Sequence, residues 1–256
     1  MDMVLQLILF MAIGAGIGFI GGILGIGGGL LAIPLLVLMQ DMDQQLAQGT
    51  ALIMVLPAVM LTIRKYNQYA RIDRGSALAG AASASLFTWV GAFFALSLPS
   101  DTLRLIYALF VLAVALYYFQ QSAALRNRRS PPTKQASDHS RSSFVLLGVL
   151  AGLAGGIFGV GGSVVAVPVL TRFFKLSQFN AQALGLTMVL PGLTVALLTY
   201  ASHGQVDWHI GIPMALGSMC LVPVGVRLAH GMPEPRLKLI FACMLLLIMV
   251  LLLLKI

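Results

Sequence analysis

Charge is the first thing this sequence lacks. Only 9% of its 256 residues are Asp, Glu, Lys or Arg, against about 25% in an ordinary soluble domain. Hydrophobic residues make up 59%, and mean hydropathy is +0.96. That composition excludes an ordinary soluble domain. Alternation of apolar and polar residues is also missing: the apolar runs are continuous, which excludes a closed transmembrane β-barrel. What remains is an all-α integral membrane protein, with four apolar stretches in each half long enough to enter a bilayer at ~20 residues per span. The only two cysteines, Cys220 and Cys243, both lie in apolar segments and suggest no disulfide framework. The N-terminus has no basic n-region and its apolar run outlasts an h-region, so no cleavable signal peptide is expected. The net charge of +8 sits in loops, where Lys and Arg set membrane orientation, so nucleic acid is not expected as a partner.

Chemistry-bearing clusters are scarce too. No charged residue lies in the central part of any apolar segment, whereas proton and sodium pumps usually carry intramembrane carboxylates. There is no HExxH and no nucleophile–base pair, so neither an enzyme nor a cofactor is expected. His203 and His209 flank Asp207 without a further convergent ligand, and thirteen scattered methionines read as apolar filler; no metal site is assigned. Asp73 and Asp207 precede helices and read as N-caps.

Glycine, by contrast, is abundant, with 27 residues. It concentrates in a stretch that occurs twice: GAGIGFIGGILGIGGGLLAIPLL, Gly14 to Leu36, and GVLAGLAGGIFGVGGSVVAVPVL, Gly148 to Leu170. The copies lie 134 positions apart without a gap, and the offset persists well beyond them. Ala47-Gln48 pairs with Ala181-Gln182, Met54-Val55-Leu56-Pro57 with Met188-Val189-Leu190-Pro191, Tyr66 with Tyr200, and Pro99 with Pro233. The chain is a duplication. Residues 1–119 form a first membrane repeat and 142–256 a second. The intervening 120–141, containing RNRRSPPTKQASDHSR, reads as a basic cytoplasmic linker too polar to pack.

The apolar segments run Val4–Met39, Leu46–Ile63, Gly75–Leu98 and Leu105–Phe119, then Ser142–Leu170, Ala181–Ser202, Ile210–Val226 and Leu239–Leu254. Loop charges reverse between equivalents. Arg64, Lys65, Arg71 and Arg74 face a partner loop with no base. Asp41 and Asp43 correspond to a loop with Arg172 and Lys175, and the loop with Arg104 to one with Arg227, Arg236 and Lys238. The positive-inside rule then places equivalent loops on opposite sides, so the repeats are inverted. Inversion requires an odd number of passes per half. The first segment, too long for one span, supplies it as a hairpin broken by glycine after Leu24, with the short arm Leu30–Met39; both termini then face outward.

A glycine cluster costs a helix roughly 1 kcal/mol per residue relative to alanine. Inside hydrocarbon, irregular backbone survives only where protein or a cavity surrounds it. Broken helices at corresponding positions of two halves point to a transport site, although small residues also serve close helix packing. Each break exposes the N-terminus of a half-helix, whose N–H groups and positive dipole end favour an anion. The candidate substrate-binding residues are Gly25, Gly27, Gly28 and Gly29 with Gln48 and Thr50 in one half. In the other they are Gly159, Gly161, Gly162 and Ser163 with Gln182 and Thr187. An amide can donate to an oxyanion without bringing charge into the bilayer; the alternative for both glutamines is helix capping or packing. Pro57 and Pro191 read as kinks. Arg104 and Arg227 are candidates for pore mouths, or serve topology alone.

GFIGGILGIGGGLLAIPLL and its repeat GLAGGIFGVGGSVVAVPVL, with Asp73 and Val206-Asp207-Trp208, resemble the TauE/SafE family of sulfite and organosulfonate transporters, also called the toluene-sulfonate uptake permease family. The resemblance covers the chain apart from the linker. It implies a multi-pass permease of the bacterial inner membrane for sulfur-containing anions such as sulfite or sulfonates, without choosing among them or between import and export. Ser163 departs from the glycine triplet of the first copy, making the two half-sites unequal. The expected partners are a small anionic substrate and the lipid bilayer, and a homodimer is left open. The alternatives are a passive anion channel and a non-transporting membrane subunit.

Overall fold

In a computed structural model, which describes residues 3–25, 27–66, 74–125, 141–231, 239, 242–246 and 250, each apolar segment of the first seven is helical. The elements are α1 (Met3–Leu24), α2 (Gly29–Gln40), α3 (Gln44–Tyr66), α4 (Arg74–Ser97) and α5 (Ser100–Leu125). The second half gives α6 (Arg141–Phe158), α7 (Ser163–Arg172), α8 (Gln178–Ser202) and α9 (Trp208–Gly231). Among the described residues, α1, α3, α4, α5, α8 and α9 are long and apolar enough to cross a membrane. The segment Leu239–Leu254 is described only in part; Ala242 and Leu245 are buried there. Most of the linker, Asp73, Arg71, Arg236 and Lys238 lie outside the described residues.

Both long first segments break where glycine was expected to break them, at Gly25–Gly28 and Gly159–Gly162. Each is a hairpin, because the chain folds back on itself: a Cβ on Gly21 would meet the Gly28 nitrogen at 2.6 Å, and one on Gly155 would meet the Gly162 nitrogen at 3.0 Å. The short arms end in a matching corner. Asp41 and Lys175, equivalent by the 134-residue offset, are the only non-glycine residues with positive φ among those described, at 51° and 54°. One corner is acidic and the other basic.

The two largest helix seams join the halves: α1 lies along α9, and α4 along α6. Glycine allows the backbones to approach. On the first seam Gly14, Gly18 and Gly22 abut the backbone of Met214, Ser218 and Val222. On the second Gly148, Gly152 and Gly156 abut Gly80, Ala84 and Thr88. These seam contacts exchange partners under the offset: each pair named has its equivalent pair in contact in turn. The correspondence extends to Gly225 on Phe19 and Gly91 on Leu153. Where Gly217 lies on the Met11 carbonyl, its equivalent Ser83 donates its hydroxyl to Val145 at 3.0 Å. The seam contacts of the two halves are therefore reciprocal under the offset. In both seams the residue numbers in contact rise together along the two helices, so α1 runs parallel to α9 and α4 parallel to α6.

Large apolar side chains point outward. Leu5 and Ile8 on α1, Leu86 and Phe93 on α4, Leu109 and Leu116 on α5 and Leu198 on α8 are all exposed. Patches of that extent mark a membrane-facing surface. With lipid as apolar as leucine, the seams are held by close packing of small residues rather than by expulsion of water.

Candidate functional site

The site is built on backbone. Gly25, Gly27 and Gly28 have φ of 65°, 75° and 83°, and Gly159, Gly161 and Gly162 have 65°, 81° and 70°. This left-handed region costs an L-residue with a Cβ roughly 1–2 kcal/mol. Space is equally restrictive: a Cβ on Gly28 would press on Ile17 and Met54, and one on Gly162 would collide with the Ala151 carbonyl. Gly28 and Gly162 are the N-caps of α2 and α7, and neither offers a side chain. The first ladder bonds run from Leu31 N to Gly28 O at 3.0 Å and from Val165 N to Gly162 O at 3.1 Å. The amides of Gly29, Leu30, Ser163 and Val164 precede the ladder and belong to the unpaired set of a helix start.

The opposite dipole ends are treated differently. A helix that stops at a break also leaves carbonyls without partners, and here side chains reach them. Gln182 Nε2 donates to the Leu24 carbonyl at 2.6 Å, and the Tyr200 hydroxyl lies 3.1 Å from the Gly156 carbonyl. A third orphan arises from Pro34, which has no N–H for the carbonyl four residues back. Tyr107 donates to that carbonyl, Leu30 O, at 3.1 Å. At each break one carbonyl thus lies within reach of a side-chain donor, while neither helix start has a side-chain cap among the described residues, and such a junction favours negative charge.

The two breaks meet. A Cβ on Gly29 would lie 3.4 Å from the Val160 Cα and 3.5 Å from the Gly159 carbonyl of the opposite half. Gln48 packs directly on Gly159, where a Cβ would approach its Cβ to 2.9 Å. Each glutamine therefore reaches across to the other half's break: Gln48 to Gly159, Gln182 to Leu24. Phe158, which precedes the second break, stacks on Phe110 at 4.0 Å between centroids and meets Tyr107 edge-on. All eight described residues of the breaks, from Gly25 to Gly29 and from Gly159 to Gly162, are buried, as is Ser163. In this conformation the junction is closed to solvent.

Gln48 is fully buried, with Oε1 2.7 Å from the Tyr200 hydroxyl and no partner for Nε2 among the described residues. A phenol has one proton, so Tyr200 serves either Gln48 or the Gly156 carbonyl. Turning the amide over would let Nε2 donate to the phenol and the phenol to Gly156, leaving Oε1 over instead. In both orientations one end of the amide is uncommitted inside a dry junction, where an unmet polar group costs about 1–3 kcal/mol. An oxyanion selects the orientation with Nε2 free.

Both threonine hydroxyls have partners within the protein. Thr50 Oγ1 accepts from the Asp207 amide at 2.9 Å, and Thr187 Oγ1 donates to Ala183 O of its own helix at 2.8 Å. Asp207 Oδ1 accepts from the His209 and Ile210 amides and caps α9. Pro57 and Pro191 lie inside α3 and α8. Arg104 is mostly buried near the start of α5, and Arg227 is exposed. Sequence reasoning missed Tyr107 and overlooked what Tyr200 does. The available signal was a phenol inside an apolar run, since a buried tyrosine needs a partner for its hydroxyl.

The family model described as Sulfite exporter TauE/SafE matches residues 10–252. A probable membrane transporter protein of Xylella fastidiosa (strain 9a5c) is 27% identical over 224 residues, covering 86% of this chain and 85% of its own. The probable membrane transporter protein YunE of Bacillus subtilis is 20% identical over 267 residues, covering 95% of this chain and 96% of its own. The probable membrane transporter protein MJ0441 of Methanocaldococcus jannaschii is 25% identical over 227 residues, covering 84% and 82%.

Proposed function

The chain belongs to the TauE/SafE sulfite exporter family of membrane transporters, and from that premise we propose that it is a secondary transporter for small sulfur-containing oxyanions, sulfite or organosulfonates, in the bacterial inner membrane. It carries no catalytic site in this reading. The substrate is held where the two glycine breaks meet, by the amides at the starts of α2 and α7, by Ser163, and by the Gln48 side chain. Gln182 orients the first break through Leu24 and lies at the edge of the site. Thr50 and Thr187 support the surrounding helices rather than the anion. The observation that carries this reading is the uncommitted amide of Gln48, fully buried against Gly159, beside helix starts without a capping side chain.

Alternating access follows from an inverted relation of the halves. The parallel course of α1 with α9 and of α4 with α6 supports inversion, because α3 and α4 are consecutive spans joined by a short loop and so run oppositely. The α3 contacts Gly49 with Gln205 and Ile53 with Gly211 keep α3 parallel to α9. Rocking one half on the other would slide the glycine seams and open the closed junction to either side in turn.

The test is anion affinity on detergent-solubilised protein. Sulfite or a sulfonate should bind to the wild type, and Gln48→Ala should bind roughly 5- to 150-fold more weakly, the equivalent of ~1–3 kcal/mol. Equal affinity in the two proteins would remove the glutamine from the site.

A further inference from the structure

We propose a second anion-binding site, one step outside the central junction, formed by Arg104 on α5 and Gln44 at the start of α3. It rests on the reading of the junction as an anion site only for its role, not for its existence.

The two residues share one seam. The Gln44 backbone N–H donates to the Ser100 hydroxyl at 2.9 Å, which fixes the start of α3 against the start of α5. Arg104 is one helical turn beyond Ser100 and so lies on the same face, and helical side chains tilt toward the N-terminus of their helix, which carries its guanidinium back toward Ser100 and Gln44. Both side chains are withdrawn from water: Gln44 is fully buried and Arg104 is 15% exposed. Neither finds the partners such burial calls for. Gln44 Nε2, Gln44 Oε1 and Arg104 Nε have no hydrogen-bond partner among the described residues. The one ion pair of Arg104 among them is a 4.0 Å contact with Asp101, which is 92% exposed, and such a loose surface pair neutralises little. Asp43, next to Gln44 in the chain, is exposed as well, where solvent screens it.

A largely buried arginine on the same seam as an unpartnered side-chain amide offers a donor set for an oxyanion, which accepts from a planar fork and a neighbouring N–H₂ together. Its position gives it a purpose. Tyr107, one turn further along the same face of α5, donates to Leu30 of the first break. Arg104 therefore stands one turn, about 5 Å of helix rise, from the residue that touches the junction. An anion held by Arg104 and Gln44 is staged above the central site without a fixed charge entering the bilayer centre. The sequence offset assigns Gln178 as the counterpart of Gln44 at the opposite end of the duplication.

Inorganic sulfate is the probe, and its stabilisation of the purified protein in lipid-free detergent is the readout, as Tm against sulfate concentration with chloride exchanged to hold ionic strength. Wild type, Arg104→Gln, Arg104→Lys, Gln44→Leu and Gln48→Ala are compared. The expected result is that Arg104→Gln and Gln44→Leu raise the half-saturating concentration at least tenfold or abolish the component. Arg104→Lys should retain part of this Arg104-dependent component, and Gln48→Ala should weaken sulfate binding at the central junction while the Arg104-dependent component persists, since the two sites are separate. If Gln48→Ala removes all sulfate response while the Arg104 and Gln44 variants keep it, only the central site exists and this proposal is overturned. An unchanged response in every variant also overturns it. If the Arg104-dependent response is given by phosphatidylglycerol and not by free sulfate, the guanidinium holds a lipid headgroup and the solute site is refuted. A sulfate response that depends on Arg104 but not on Gln48 would uphold this site even if the central one failed.

Discussion

Two glutamines at equivalent positions have unequal tasks. Gln182 covers the carbonyl that ends α1, whereas Gln48 keeps part of its amide uncommitted. Gln182→Ala should therefore lower stability, by ~1–3 kcal/mol for a buried carbonyl left without its donor, with a smaller effect on anion affinity. Gln48→Ala should do the reverse, lowering affinity with little loss of stability. Paired thermal denaturation and binding titrations separate the two. Tyr200→Phe should free the Gln48 amide from one contact but orphan the Gly156 carbonyl, so it should cost stability as well as affinity. Both glutamines were visible in the sequence as polar residues repeated at the start of an apolar run. Which of them was free was not visible, because it depends on Tyr200, whose hydroxyl reaches Gln48 from a residue 152 positions away.

At the scale of the element, glycine does two different things in this chain. At Gly28 and Gly162 it permits positive φ; at Gly18 and Gly152 it permits contact between backbones. Leucine at Gly28 or Gly162 should abolish transport, since strain and collision act together there. Leucine at Gly18 or Gly152 should instead loosen the α1–α9 or α4–α6 seam, seen as a lowered Tm. Gly16 faces open space, with no described atom beyond its own helix within 4 Å of where a Cβ would stand, and Gly16→Leu should be neutral in both assays. Sequence reasoning found the breaks because four glycines in five positions are too dense for a helix. It treated close packing and the break as rivals, whereas the same stretch supplies both, on successive turns. The short arms α2 and α7 were legible for the same reason: Pro34 and Pro168 follow each break at equal spacing, and the corners Asp41 and Lys175 close them.

At the scale of the whole molecule, the duplication and its fixed offset carried most of the architecture, because a repeat that cannot bury its own seams must exchange them with its twin. What the offset cannot convey is that α1 crosses to α9 and α4 to α6, since partner choice between helices depends on where small residues face. Inversion has its own check. Single cysteines replacing Asp43 and Lys175, in a protein whose Cys220 and Cys243 have been removed, lie exposed in corresponding corners, Asp43 two residues beyond Asp41, the equivalent of Lys175. Lys175→Cys should react with an impermeant reagent from the cytoplasm only and Asp43→Cys from outside only; reaction from a common side would make the halves parallel. The central claim, that the closed junction is an alternating-access anion site, is tested most directly by counterflow of labelled sulfite in proteoliposomes. The account predicts that unlabelled sulfite loaded inside accelerates uptake of label, that the acceleration saturates, and that Gln48→Ala requires a several-fold higher concentration to reach the same rate. Flux that rises linearly with concentration, with no acceleration by internal sulfite, would contradict it.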